Sequence, residues 1–463
     1  MTRRDFICAG GAATAATLAG CRMWAAAEGL PEYYGDHIAH VTDRIRRLSP
    51  GCEDGFFFVT DLHFPSNRMM SGRILARLVA TTGLKKVFCG GDIPESFGTR
   101  ETLDAAVDEY RAGFVGAVER AGGEFFPAKG NHDFNIRGSR DDKTGEATGI
   151  SYPGELARRI LMDTAAVRRR AVVNEADPEG VYYYVDEPHA RIRYIVADGS
   201  DRATAASLGA KAYGMSDEQV AWLAGNALGT MHGGWTAVVV QHAALGGVAA
   251  PEGMKKLCAK WREVMEACNA GGRVSVGGRE FDFSGAKISI AMNLTGHYHA
   301  ERQSKASGIW HVTQPCDAAY RDYIARSLWC PGLPKKDRGT VFEQTFDAVQ
   351  ISLADGLIHF TRIGGGGDRT LHAGALRLSV GEKAALSAGH LPECARPLWR
   401  CCDADGVDMR AKPGKKYDYD FVYGDKVAEV SPDGVVKAKG AGEAVVAAIA
   451  PNGDKELFPV LVA

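Results

Sequence analysis

Side chains that could bind metal ions recur at five places in the chain, each directly after an apolar run. They are Asp61 and His63 after "GFFFVT", Asp92 after "KKVFCGG", Asn131 and His132 after "EFFPAKG", His242 after "WTAVVVQ", and His297 and His299 after "KISIAMNLTG". Each place alone would indicate only a turn with a polar tip. Together they predict one shared site, because open α/β sheets bind their ligands at the carboxyl ends of strands.

The residue types indicate a centre with two metal ions. Side chains alternate along a strand, so Asp61 and His63 can reach the same ion. His297 and His299 have the same spacing. The two oxygens of the Asp92 carboxylate can bridge two ions. Imidazole and carboxylate ligands favour Fe, Mn, Zn, Ni or Co over Ca or Mg, and the lack of a cysteine in the set argues against structural zinc.

The elements that would position these residues alternate between short strands and amphipathic helices from about residue 54. Helical spacing of apolar residues predicts helices in "SGRILARLVATTG", behind a Ser71 cap, and in "RETLDAAVDEYRAGFVGAVERAGG". "SDEQVAWLAGNAL" is a third helix, opened by a Ser216/Gln219 capping box. "YYYVDEPHARIRYIVAD" and "AVQISLADGLIHFTRI" are typical of antiparallel hairpins. The pattern predicts an α/β layered domain with about ten strands.

The composition changes at "GGGGDRT", from Gly364 onward, which we interpret as a linker. Beyond it, alternating apolar residues are interrupted by the turn Pro432-Asp433-Gly434, which predicts a small all-β sandwich. The stretch "VAEVSPDGVVKAKGAGEAVVAAIA" resembles the group 2 bacterial Ig-like domains. We therefore expect a main domain over residues 28–368 and an Ig-like β-sandwich domain over residues 369–463, which would serve as a spacer or surface attachment.

The N-terminal residues 1–27 have the composition of an export signal, with a basic start and a weakly apolar run of small residues. Arg3-Arg4 followed by Asp5-Phe6 resembles a twin-arginine signal. Leu18-Ala19-Gly20-Cys21 resembles a lipoprotein box, which would place a lipid anchor on Cys21, whereas Ala25-Ala26-Ala27 would suit an ordinary signal peptidase. The protein is therefore expected to be exported, either as a periplasmic protein or as a membrane-anchored lipoprotein.

The ordered set Asp-x-His, Gly-Asp, Gly-Asn-His-Asp, a strand-end His and Gly-His-x-His resembles the calcineurin-like metallophosphoesterases, over roughly residues 54–366. The resemblance implies an α/β fold, a four-layer sandwich of two mixed β-sheets flanked by helices. It also implies two metal ions and a bridging hydroxide that attacks phosphorus. The implied ligands are Asp61, His63 and His299 for the first metal, Asn131, His242 and His297 for the second, and Asp92 between them.

Two further residues have implied roles in catalysis. His132 would not be a ligand in such an enzyme; it would stabilise the transferring group or protonate the leaving alcohol. Glu95 stands three residues after Asp92, where many members of the family carry an acid that orients this histidine. A solvent-facing loop carboxylate is the alternative for Glu95. The tyrosine that follows the Gly-Asp motif in purple acid phosphatases is absent, which argues against that type.

The function expected from the sequence is an exported, dinuclear-metal-dependent hydrolase of phosphoric esters, either a phosphatase or a phosphodiesterase. Its partner would be a phosphorylated small-molecule or ester substrate. The alternative is a cell-surface binding protein with a non-catalytic phosphoesterase-like scaffold. The formal net charge is only −2. Because this balance does not indicate a broadly basic surface, no nucleic-acid partner is expected.

Overall fold

The computed structural model describes residues 29–64, 70–94, 100–133, 161–201, 214–244, 258–318, 327–331, 333, 336–392, 396–404, 406–413 and 419–463. The predicted export signal with Cys21 lies outside these ranges, and so does Glu95. None of the helices in the described ranges combines the length and the apolar character that crossing a membrane requires.

Four of the seven α-helices of the described residues lie where apolar periodicity predicts them. They are α1 (Gly35–Leu48), α2 (Met70–Thr82), α3 (Arg100–Tyr110), α4 (Gly116–Arg120), α5 (Ala165–Arg170), α6 (Asp217–Trp222) and α7 (Ala259–Ala270). A π-helical turn joins α3 to α4, and another extends α6. Ser216 caps α6 as predicted, since its hydroxyl accepts the Gln219 amide at 3.1 Å. The reciprocal half of the capping box is wrong, because the Gln219 side chain bonds the Asp198 backbone and the Ser216 amide donates to Asp201. The predicted Ser71 cap is wrong, because α2 already includes Met70 and the Ser71 hydroxyl donates to Asp317.

Up to Gly364 the described residues form fourteen strands, more than the ten expected, because several are too short to show a clear pattern. They are β1 (Asp54–Val59), β2 (Lys86–Cys89), β3 (Glu124–Pro127), β4 (Val172–Val173), β5 (Tyr183–Glu187), β6 (Ile192–Val196), β7 (Thr236–Val240), β8 (Arg273–Val276), β9 (Arg279–Asp282), β10 (Ser289–Thr295), β11 (Arg302–Ala306), β12 (Ile309–Thr313), β13 (Thr345–Ser352) and β14 (Leu357–Gly364).

In the described residues after Gly364, the regular secondary structure consists of strands. They are β15 (Arg369–His372), β16 (Leu376–Leu378), β17 (Lys383–Ala385), β18 (Leu398–Asp403), β19 (Asp408–Ala411), β20 (Tyr419–Val422), β21 (Ala428–Val430), β22 (Val435–Ala438), β23 (Gly442–Ile449) and β24 (Lys455–Val462).

Two large mixed sheets dominate the described residues. In the first, the order β18-β23-β24-β15-β14-β13-β1-β2-β3 places β1, β2 and β3 parallel to one another at one side. In the second, the order is β11-β12-β10-β7-β6-β5-β4, with β6, β7, β10 and β12 parallel. Both predicted hairpins are confirmed, as β5 with β6 and as β13 with β14. The carboxyl ends of the parallel strands therefore come together at one edge of each sheet.

Alternating side chains distribute the apolar residues of the strands between separate cores. In β1, Phe57 and Val59 pack with residues of α1 and α2, whereas Phe56 and Phe58 face a core shared with the second sheet. In β7, Val239 packs against residues of α6 and α7 on the far side. The layers therefore follow the order helices, first sheet, second sheet, helices. The prediction of a mixed α/β fold is confirmed.

Residues after Gly364 continue the first sheet. β15 pairs antiparallel with β14 and parallel with β24, so the segment that we interpreted as a linker connects two neighbouring strands. Buried ion pairs cross the same boundary: Glu301 lies 2.7 Å from Arg362, 2.8 Å from Arg369 and 2.9 Å from Lys455. The main sheet and the C-terminal strands thus share a charged core, while an Ig-like architecture for residues 369–463 stays a prediction.

Candidate metal centre

All eight motif residues that the structure describes converge at the carboxyl ends of parallel strands. Asp61 and His63 follow β1, Asp92 follows β2, Asn131 and His132 follow β3, His242 follows β7, and His297 and His299 follow β10. Most of them are buried, and only His132 and His297 are partly exposed. The two sheets therefore bring together residues that are far apart in the sequence.

The first group contains Asp61, His63 and His299. The Nε2 atoms of the two histidines are 3.2 Å apart. Oδ1 of Asp61 lies 3.1 Å from Nε2 of His299 and 3.8 Å from Nε2 of His63. The Thr60 hydroxyl and the His297 amide donate to the Asp61 carboxylate and fix its orientation.

The second group contains Asn131, His242 and His297. Nε2 of His242 lies 3.2 Å from Oδ1 of Asn131 and 3.2 Å from Nδ1 of His297. Nδ1 of His242 lies 2.8 Å from the Gly90 carbonyl oxygen, to which it can only donate. This hydrogen bond leaves the Nε2 lone pair of a neutral His242 facing the other donors of the group.

Asp92 lies between the two groups. Its Oδ2 is 3.2 Å from Nε2 of His242 and 4.0 Å from Nε2 of His63. Its Oδ1 accepts the backbone amide of His132 at 2.8 Å, while Nε2 of His132 is 3.9 Å from Oδ2. Ligand atoms of His63, Asp92 and His132 also lie within 4.8 Å of one another, so distance alone would allow His132 to be a ligand.

The donor set fits metal ions. Without a metal ion, a proton on Nε2 of His242 fills the 3.2 Å gap to the Asp92 carboxylate, and a cation bound there would replace that proton. Ligands about 2.1 Å from one ion stand roughly 3 Å apart, as these atoms do. The spacing of each group therefore suits one bound cation.

The charge distribution of the site also indicates that it binds a cation. Burial opposes protonation of His242, yet the Asp92 carboxylate outweighs burial and raises the His242 pKa to about 9. Burial, with the charge of His242, lowers the His297 pKa to about 3. Burial would raise the pKa of Asp92, but the charges of His242 and His132 hold it well below its usual value. The Asp92 carboxylate is therefore ionised and attracts a cation.

The backbone of the site is strained. Eight non-glycine residues among those described have positive φ, and five of them are proposed ligands: Asp61 (56°), His63 (47°), Asp92 (52°), His297 (69°) and His299 (55°). Such a conformation costs on the order of 1–3 kcal/mol for each residue, and strain of this kind clusters at functional sites. The loops hold their polar side chains in place against that cost.

Two glycines of the motifs permit a close approach of the loops. A Cβ on Gly130 would lie 2.2 Å from the Asp92 amide nitrogen, and a Cβ on Gly296 would lie 2.2 Å from Oδ2 of Asp61. Since real Cβ atoms do not make such contacts, any larger residue would push the loops apart. The glycine before Asn131 thus serves packing between loops as well as a turn.

Asp133 and Cys316 also lie at the site, although sequence reasoning assigned no role to either of them. The Asp133 carboxylate accepts the amides of Gly130 at 2.6 Å and Ile93 at 2.8 Å, so it ties two ligand loops together. Burial and the nearby Asp92 raise the Asp133 pKa to about 7. Cys316 follows β12 at the same sheet edge, and this strand-end position was the feature that could have indicated it.

Comparisons with known proteins give only remote structural likenesses. No family model matches the sequence, and no curated protein matches it either. A dimetal phosphatase from Danio rerio is 13% identical, with 69% of this chain and 98% of that chain covered and a TM-score of 0.44. GAP50, the anchor in the inner membrane complex of Plasmodium, is 11% identical, with 68% of this chain and 85% of that chain covered and a TM-score of 0.37. The phosphopantetheinyl hydrolase of Mycobacterium tuberculosis is 14% identical, with 57% and 89% covered and a TM-score of 0.30.

Proposed function

We propose that this protein is a metal-dependent hydrolase of phosphoric esters that binds two metal ions. The observation that carries the proposal is the pair of donor groups described above, which meet at Asp92. Within the two groups, nitrogen and oxygen atoms of neighbouring side chains lie 3.1 to 3.8 Å apart. A structural role alone would not require so many buried imidazole and carboxylate groups in one cluster.

Each residue of the site has one role in this proposal. Asp61, His63 and His299 would hold the first ion, Asn131, His242 and His297 the second, and Asp92 would contact both. Ions bound there would polarise a phosphoryl oxygen and supply a nucleophile at neutral pH. The hydrogen bond from His242 to the Gly90 carbonyl keeps the ring in the tautomer that presents Nε2 to the second ion.

The charge of the centre supports a phosphate ester as substrate. Two divalent ions would bring four positive charges, against the two negative charges of Asp61 and Asp92. Because these carboxylates are buried, solvent screens the resulting positive potential only weakly. A phosphate group with one or two negative charges would be attracted to this position, whereas a neutral ester would not.

We propose that His132 acts on the substrate. Its side chain is 14% exposed, whereas the side chain of Asp92 beside it is 2% exposed. The backbone amide of His132 holds Asp92, so the imidazole itself can point toward a ligand that enters from solvent. We assign this imidazole to protonation of the leaving oxygen or to stabilisation of the charged phosphoryl group.

A panel of phosphate monoesters and diesters, assayed after reconstitution with Fe, Mn, Zn, Ni or Co, tests the proposal. We expect hydrolysis by the metal-replete protein and a loss of at least about 100-fold in Asp92→Asn. Asp43→Asn, at an exposed carboxylate of α1, is the matched control and should keep full activity. A metal-replete protein that hydrolyses no ester would leave the non-catalytic binding protein as the better interpretation.

The export route and the C-terminal strands complete the proposal. The composition of residues 1–27 supports export to the periplasm, and Cys21 supports a lipid anchor. Metabolic labelling with a fatty acid, compared between wild type and Cys21→Ser, tests the anchor. Labelling of both or of neither would argue against it. We further propose that residues 369–463 contribute to surface attachment, which binding of cell-wall fractions would test.

A further inference from the structure

The thiol of Cys316 lies beside the first group of metal-binding side chains. One ligand atom from each of Cys316, His63 and His299 lies within 4.8 Å of the other two. Cys316 is fully buried, and it follows β12, which runs parallel to the strand that carries His299 at its end. The thiol is therefore in a cluster of three metal-binding groups and not in an apolar core.

Backbone hydrogen bonds on the C-terminal side of Cys316 hold it in this position. The Asp317 amide donates to the Thr60 carbonyl at 3.0 Å, and the Ala318 amide donates to the Asp61 carbonyl at 3.3 Å. Sγ of Cys316 also donates to the Asp61 carbonyl at 3.2 Å. The segment that carries the thiol thus runs along the loop that carries the first carboxylate ligand, and its side chain is already ordered.

We propose that Cys316 is a thiolate ligand of the first metal ion, together with Asp61, His63 and His299. This inference rests on the metal-binding part of the proposed function. Coordination replaces the S–H bond with a sulfur–metal bond, and the proton passes to solvent.

A thiolate changes which metal the first position prefers. Sulfur ligands favour Zn, Fe and Co over Mn and Mg. With Cys316, the first position has anionic ligands in Asp61 and the thiolate, whereas Asn131, His242 and His297 at the second are neutral. The two positions are therefore unequal, and the first binds its ion more tightly and selects a softer metal.

Titration of the metal-free full chain with Co²⁺ tests the inference. We expect a thiolate-to-cobalt absorption band in the near ultraviolet that is present in the wild type and absent in Cys316→Ser and Cys316→Ala. Cys268→Ser, at a buried thiol of α7 in another core, is the matched control and should keep the band. Cys316→Ser should weaken binding of the first Zn²⁺ by about 10- to 100-fold and change Mn²⁺ binding by less than about threefold.

X-ray absorption at the zinc edge tests the same point without a substitution, in case a variant does not fold. A sulfur shell at about 2.3 Å in the wild type would support the thiolate ligand. Binding of Co²⁺ or Zn²⁺ with only nitrogen and oxygen neighbours would overturn this inference and leave the proposed function intact. A protein that binds neither ion would overturn both.

Discussion

Replacement of His132 by alanine separates the chemistry of the site from its metal binding. The backbone amide of His132, which donates to Asp92 at 2.8 Å, is retained in the variant. The imidazole Nε2 is 3.9 Å from the same carboxylate, too far for a hydrogen bond. We therefore expect His132→Ala to keep its metal content, measured by inductively coupled plasma mass spectrometry.

The expected loss of activity depends on the leaving group. General acid catalysis contributes about 10²- to 10⁴-fold to the rate. An alkyl phosphate needs a proton on its leaving oxygen, so kcat/KM should fall by about that factor. p-Nitrophenolate leaves without protonation, and its ester should lose about tenfold or less.

Three results would refute this reasoning about His132. Loss of metal in His132→Ala would make His132 a ligand, a role that its distance to His63 and Asp92 allows. An equal loss on both esters would assign it charge stabilisation in place of proton donation. Unchanged rates would remove it from the mechanism. His132→Gln, which keeps a hydrogen-bond donor but cannot transfer a proton, should behave like alanine on alkyl phosphates.

Three other predictions follow from buried charges. In Asp133→Asn, an amide NH₂ or a weaker acceptor faces the backbone amides that the Asp133 carboxylate now binds. Metal affinity, measured by competition with a chelator, should therefore fall by about 10- to 100-fold. Unchanged affinity would contradict this prediction. Asp347→Asn leaves two buried arginines short of a carboxylate and should lower the free energy of unfolding by roughly 3–5 kcal/mol. The exposed Glu429→Gln should change it by less than about 1 kcal/mol, and equal effects would count against the buried network. Burial, followed by the charge of Arg302, lowers the His311 pKa to about 4, below its unfolded value of about 6.5. The unfolded state therefore binds more protons, and the folded state loses stability as the pH falls from about 6.5 toward 4. His311→Gln should reduce the loss of unfolding free energy between about pH 7 and pH 5 by roughly 1–2 kcal/mol, measured by denaturant titration. An identical loss in both proteins would refute the assignment.

The convergence of the motif residues was predictable because their information is local. An apolar run that ends in Asp61 or His242 reports both a buried strand and the side chain at its end. Parallel strands then bring these ends together whatever their order in the sheet. The convergence of Asn131, His242 and His297 needs only that rule, and the structure places them together.

The remaining contacts depend on strand register, which the sequence does not show. Cys316 reaches the first group only because β12 lies beside β10 in a parallel register. Asp133 follows the predicted Asn131 and His132 directly, yet its role depends on how close two loops approach. The composition break at Gly364 gave no indication that β15 would pair with β24 near the end of the chain. Pairing between distant segments follows from the packing of the whole sheet.

Anomalous diffraction from crystals of the metal-reconstituted protein tests the central claim most directly. The account predicts two ions about 3.5–4 Å apart, with Asp92 contacting both, His63 at one and His242 at the other. A single ion, or ions bound away from Asp92, would contradict it.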